Sequence, residues 1–180
     1  MATKPGGKFV KPGATVAAAL LISLGLWEGR KLTPYYDAGG VETWCDGITA
    51  PGTTPKARYT PAECDELLAS HLYTDVEALK RCIPLSLMPQ EMQFAAQHMA
   101  YNIGAPALCR SSMAKRWRAG DYSPESCRVI LKYTYVAGQD CRKTGTRCPG
   151  IVKRRDYEHG VCTGEIDWRE QAWHYEPPKG

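Results

Sequence analysis

The sequence predicts an α+β fold in one domain, with a short β-hairpin near the N-terminus followed by a series of helices. Three observations lead there. A length of 180 residues with 43% apolar content suits a single core, with room for two lobes. The clearest strand-like run surrounds the turn Asp37-Ala38-Gly39-Gly40, after which Val41, Thr43 and Cys45 would share one face and Glu42 and Trp44 the other. Beyond Thr60 the chain instead shows helix starts and apolar residues at helical spacing.

Residues 1–11 read as a flexible basic tail carrying Lys4, Lys8 and Lys11. Residues 12–27, Pro12 to Trp27, contain no charge. They suit a buried first helix ending at Glu28, or an export segment lodged in a membrane with its positive flank inside. The run is shorter than the roughly 20 apolar residues of a stable span, and Ala, Gly, Ser and Thr dilute it. The two readings are compatible, because a weak span that left the bilayer would need burial elsewhere. A cleaved leader fits less well, since cutting after this run would remove the helix beneath Glu28.

Residues 28–164 form the expected domain. Thr60-Pro61-Ala62-Glu63 is a helix start, with Thr60 as cap, proline in the first turn and Glu63 completing a capping box. Leu68, Leu72, Val76 and Leu79 continue at helical spacing to Cys82, and Pro84 ends the helix. Pro89 opens a second helix with Met92, Ala95, Ala96 and Met99 on its buried face and Gly104 as its stop. A short helix from Ser111 to Ala119 follows, then a start at Ser123-Pro124, a turn at Gly138, and a final helix after Pro149-Gly150. That helix holds Arg154, Arg155 and Glu158. The arginines either brace a buried acid such as Glu28 or form exposed ion pairs. Residues 165–180 read as a polar tail without periodicity, draped over the domain or without fixed structure.

The net charge of +4 suits an anionic polymer or a membrane surface and is too weak to argue for nucleic acid. Lys115-Arg116-Trp117-Arg118 reads as a solvated helix face. There are eight cysteines, with no Cys-x-x-Cys and no His-Glu-x-x-His. This disfavours a metal site, and no cofactor is expected. An even cysteine count favours disulfides, hence export to an oxidising compartment.

The chemistry concentrates between Trp27 and Thr49. Glu28 closes the first helix, Asp37 follows nine residues later at the turn, and Thr43 lies six residues beyond in the strand. On one continuous helix, two carboxylates nine residues apart would be about 13 Å apart. A chain that leaves the helix and returns through a hairpin brings them closer, with room for a water between them. One acid that protonates a leaving oxygen and a second that activates water suit hydrolysis of a glycosidic bond.

Glu28, Tyr36-Asp37 and Gly40-Val41-x-Thr43 resemble the catalytic signature of the phage-type lysozymes, the endolysins of glycoside hydrolase family twenty-four. The similarity continues through Tyr101-Asn102-Ile103-Gly104, Ser111-Ser112-Met113, Tyr133 to Gly138, and Gly150 to Arg155 with Glu158 and Cys162. One departure is Gly47-Ile48-Thr49, where the family usually has Gly-His-Thr. The resemblance implies a lysozyme-like fold in which a small β-hairpin lobe and a larger helical lobe flank a cleft. It implies Glu28, shielded by Trp27, as general acid, with Asp37 and Thr43 positioning the attacking water. Asn102, Gln97 and Tyr36 are the expected substrate contacts. The bland alternatives are a helix-ending role for Asn102 and a packed or surface role for His98 and His71.

Eight cysteines allow about 105 pairings, which the count alone leaves open. The order of elements points to Cys45–Cys64, Cys127–Cys162, Cys82–Cys109 and Cys141–Cys148, and the first two have counterparts in secreted members of the family.

The resulting expectation is a monomeric endolysin that cuts peptidoglycan between N-acetylmuramic acid and N-acetylglucosamine for lysis of a phage or prophage host. Through residues 12–27 it resembles the signal-arrest-release endolysins, exported and held at the inner membrane before release into the periplasm. A lytic transglycosylase and a secreted wall-binding protein without turnover are the rivals.

Overall fold

The computed structural model describes residues 15–37, 40–49, 52, 54–146 and 148–171. The expected tail at 1–11, the start of the apolar run at 12–14, the turn residues 38 and 39 and the end of the chain from 172 lie outside them.

Helix α1 (Val16–Glu28) begins at Thr15, whose hydroxyl accepts the Ala18 N–H, and ends at Gly29 in the left-handed region. Ala19, Leu20, Ser23 and Leu24 form its buried side. Among the described residues no helix is long and apolar enough to cross a membrane.

Strands β1 (Lys31–Tyr36) and β2 (Glu42–Cys45) make the antiparallel hairpin, pairing Lys31 with Cys45, Tyr35 with Thr43 and Tyr36 with Glu42, with an irregularity between Lys31 and Tyr35. The expected alternation of faces fails in β2, where Thr43, Trp44 and Cys45 are all buried. The chain doubles back at once, so that Trp44 bridges to Ile48. Trp44, Ile48, Tyr59 and the Cys45–Cys64 disulfide then enclose a small core of their own. Ile48 stands where the family usually has histidine, and it fills this core.

Helix α2 (Pro61–Lys80) has the full capping box, with Thr60 and Glu63 satisfying each other's backbone N–H groups. It runs from the hairpin to the main core, burying Leu68, Leu72 and Leu79. A 3₁₀ turn (Leu85–Leu87) leads to α3 (Gln90–Ile103), the central helix of the molecule. The expected single apolar face understates its burial. Met92 and every residue from Phe94 to Ala100 are buried, because α1, α2, α4 and α7 all pack against it.

The remaining elements are α4 (Ala105–Cys109), α5 (Ser112–Arg118), α6 (Pro124–Cys127), a 3₁₀ segment (Arg128–Lys132), the hairpin β3 (Tyr135–Val136) and β4 (Gln139–Asp140), α7 (Pro149–Thr163) and α8 (Trp168–Gln171). The basic run on α5 is only partly a solvated face, since Trp117 is buried and its indole N–H donates to Ser126.

The disulfides join Cys45–Cys64, Cys82–Cys109, Cys127–Cys162 and Cys141–Cys148. The segment after Cys162 is more than a polar tail. Ile166 folds back onto Gly160, where an added β-carbon would stand 2.6 Å from its Cδ1, and Trp168 is buried against Phe94. Of the two alternatives for residues 165–180, the described part, 165–171, drapes over the domain.

Candidate active site

Glu28 is the last residue of α1, so its position is set by how that helix is buried. Trp27 anchors the same turn, packing against Tyr157 and His98. The Glu28 side chain is 19% exposed, and its Oε1 accepts a hydrogen bond from Arg154 Nη1 at 2.5 Å. Its other oxygen faces Gly47, at the base of the hairpin.

Asp37 follows β1 directly. Its backbone N–H donates to the Val41 carbonyl at 3.0 Å, and its Oδ1 accepts the Val41 N–H at 2.8 Å. The carboxylate is therefore fixed by the turn it helps to form. Thr43 is buried, and its hydroxyl donates to the Val41 carbonyl at 2.9 Å. With its proton committed there, the Thr43 oxygen keeps only acceptor capacity.

Tyr35 connects these groups, and sequence reasoning missed it. It sits opposite Thr43 in the hairpin register, so both side chains lie on one face. Burial raises its phenol above the ordinary tyrosine range, and the negative charges of Glu28, Asp37 and Asp46 add to the effect.

Behind Glu28 lies a buried polar cluster. Arg154 also donates from Nε to Glu158 at 3.3 Å and from Nη2 to the His98 carbonyl at 3.4 Å. Arg155 donates to Glu158 from Nη1, to Asn102 from Nη2, and to the Tyr133 carbonyl from Nε at 2.9 Å. Glu158, fully buried, is also hydrogen-bonded to His98 Nδ1 at 2.7 Å. Burial and the neighbouring Arg154 charge push His98 down to about 4 despite that bond, so at neutral pH it is uncharged and donates from Nδ1. Burial alone would raise Glu158, but the His98 hydrogen bond and the two arginines hold it down to about 2. Of the two readings of the arginines, the structure realises the bracing one.

A second buried pair, absent from the sequence reading, fixes the hairpin base. Asp46 has no exposed side-chain surface and is forked by Arg30, from Nε at 3.0 Å and Nη2 at 2.8 Å. Tyr101 donates to the Asp46 carbonyl at 2.5 Å.

The expected substrate contacts divide. Asn102 is exposed, and its carbonyl oxygen is held by Arg155, which leaves the amide hydrogens to donate outward. Tyr36 is 73% exposed at the end of β1. Gln97 is buried, and its amide donates to the Gln93 carbonyl at 3.0 Å.

Comparison with known proteins places this arrangement. The family model for phage lysozyme matches residues 25–158. A SAR-endolysin of Bacteriophage PS119 is 30% identical over 158 residues, covering 85% of this chain and 89% of the relative. A SAR-endolysin of Escherichia phage N15 is 32% identical over 146 residues, covering 78% and 82%. Among solved structures, an endolysin from Escherichia coli O157:H7 phage FAHEc1 superposes with a TM-score of 0.70 at 21% identity, over 86% of this chain and 97% of that one. The active form of the P1 phage endolysin Lyz gives 0.67 at 22% identity, over 86% of each chain. The fold is therefore the lysozyme-like α+β fold. The match to the family model runs from the end of α1 to Glu158 and takes in the hairpin and both buried charge clusters, so the chain belongs to the phage lysozyme family.

Proposed function

We propose that this protein is an endolysin that hydrolyses the β-1,4 bond between N-acetylmuramic acid and N-acetylglucosamine in peptidoglycan, in the service of phage or prophage host lysis. The observation that carries the reading is the placement of Glu28 at the end of α1 with one carboxylate oxygen against Gly47 at the base of the hairpin, the same hairpin that carries the Asp37 turn and Thr43. Glu28 gives its proton to the glycosidic oxygen as the bond from the anomeric carbon to that oxygen breaks. A water held by Asp37 and Thr43 supplies the new bond to the anomeric carbon and loses a proton to Asp37. Arg154 and the packing of Trp27 on Tyr157 and His98 hold Glu28 for this step. The outward amide of Asn102 and the exposed Tyr36 are suited to the sugar chain, whereas Gln97, buried with its amide on the Gln93 carbonyl, is not presented to it.

The same reading gives the apolar segment two settings. Residues 12–27 first hold the exported chain at the host inner membrane. On release the part from Val16 to Trp27 packs as the body of α1, which carries Glu28 into place. The burial of Ala19, Leu20 and Leu24 under α3 supports this, because the segment has a core to enter once it leaves lipid.

Mass spectrometry of muropeptides after digestion of purified sacculi tests the reading. Hydrolysis leaves a reducing-end muramic acid. An anhydro product would convict a transglycosylase, and intact sacculi with bound protein would convict a wall-binding module. Glu28→Gln is expected to abolish release of product without changing the fold.

A further inference from the structure

The family match does not explain why two arginines are buried around Glu158, one of them also bound to Glu28. Arg154 and Arg155 are 4% and 1% exposed, and Glu158 and His98 are fully buried. Both arginines bind Glu158, one on each oxygen, while only Arg154 reaches Glu28. His98 is neutral, and the Asp37 carboxylate stands on the hairpin side of Glu28, held by the Val41 N–H, outside the cluster behind it. Trp27 from α1, Tyr101 from α3 and Tyr157 from α7 are uncharged, and Asp46 at the hairpin base is neutralised by Arg30. The cluster behind Glu28 therefore contains two fixed positive charges and one fixed negative charge.

We propose that Glu158 is a positioning residue for Glu28 that acts through Arg154, cancelling one buried arginine so that the other can orient the acid without stripping its proton. This deepens the reading of Glu28 as general acid and rests on it. Without Glu158, two guanidinium charges would face Glu28 in a poorly solvated site. Its ionised form would be favoured and its proton unavailable to the leaving oxygen. Without Arg155, Glu158 would satisfy Arg154 alone, and Glu28 would hold its proton more tightly. The two replacements act in opposite directions on the same step.

The experiment is the pH dependence of kcat on purified sacculi for wild type, Glu158→Gln and Arg155→Gln. In Glu158→Gln the alkaline limb, where the general acid loses its proton, should move down by about one unit, with roughly tenfold less turnover at pH 7 and KM within about twofold. In Arg155→Gln the same limb should move up. Loss of packing alone would lower both profiles without moving their limbs apart. Limbs that stay together, or move in the same direction, overturn the proposal.

A carboxyl ¹³C titration of the wild-type protein supplies an independent test that does not depend on either variant folding. Glu158 should remain ionised across the range in which Glu28 takes up its proton. A Glu158 carboxyl that protonates before Glu28 as pH falls overturns the charge balance. This titration needs no turnover. A wild-type protein that leaves sacculi uncut would defeat the hydrolase reading and still leave the charge balance to be judged.

Discussion

Gly47 stands directly against the catalytic candidate Glu28: a β-carbon on Gly47 would lie 3.1 Å from Glu28 Oε2, and the backbone there has φ +80°. Arg154 holds the other oxygen of the same carboxylate. Gly47→Ala is therefore expected to press on the oxygen not bound by Arg154 and cut turnover about tenfold, in the way small misplacements of reacting groups do. Left-handed backbone penalises alanine by roughly 1–2 kcal/mol in any case. Gly120→Ala separates the two effects, since Gly120 has φ +78° and open space around it. Both variants should lose similar stability in thermal melts, but only Gly47→Ala should lose activity. Equal activity in the two would show that the contact is idle.

How much of this site could be read in the sequence follows from the range of the interactions. Glu28, Asp37 and Thr43 are local, spaced by one helix end and one hairpin, and a linear pattern shows them. The Arg154–Glu28 contact spans a separation of 126 residues, so the sequence offered a buried brace or an exposed ion pair without a means to choose. Glu158 and His98 carry polar labels, yet both have no exposure, because α7 packs on α3 and buries the hydrogen bond between them. Hydropathy reads polarity as exposure and fails where polar groups satisfy each other. Trp168 fails for the opposite reason: one large apolar residue in a polar stretch has no period to reveal it.

The buried His98–Glu158 pair should make the fold labile to acid. His98 lies at about 4 in the folded protein against an ordinary 6.5, so the unfolded chain binds a proton that the folded one refuses between those values. Stability is then full above pH 6.5 and falls as pH drops toward 4, by roughly 3 kcal/mol. Glu158, at about 2 against 4.5, extends the loss below pH 4.5. Urea melts across pH 7 to 3 should show midpoints that fall throughout. His98→Asn keeps a donor for Glu158 without titrating, and should flatten the upper part of the curve. A wild-type midpoint that is level from pH 7 to 5 would contradict the neutral, buried histidine.

The disulfides should differ in worth. Cys127–Cys162 closes a separation of 35 residues between α6 and α7, and Cys141–Cys148 closes 7. Chain entropy assigns about 4 kcal/mol to the first and about 2 kcal/mol to the second. The first also lies in the buried core, where serine replacements would leave hydroxyl groups to be satisfied. In denaturant melts, Cys127→Ser/Cys162→Ser should therefore lose at least twice as much stability as Cys141→Ser/Cys148→Ser. Equal losses would mean that the short loop does more than close a turn.

Arg30 and Asp46 tie the hairpin to the helices, and their pairing can be tested as a cycle. Asp46 has no exposed side-chain surface, so its charge depends on the Arg30 fork. Arg30 also reaches Asp65 at 2.8 Å on α2, joining the strand end to the helix that runs into the main core. Arg30→Met leaves an unpaired buried carboxylate and should cost about 3–5 kcal/mol. Adding Asp46→Asn removes that charge, and the double variant should recover a large share of the loss. The hairpin base also carries Gly47, so the Met variant should lose turnover even at temperatures where it remains folded, because Glu28 then faces a loosened wall. If the two substitutions are simply additive in stability, the fork is an incidental contact, and the hairpin is held by the Cys45–Cys64 disulfide, the Trp44–Tyr59 stack and the Tyr101 hydrogen bond to the Asp46 carbonyl.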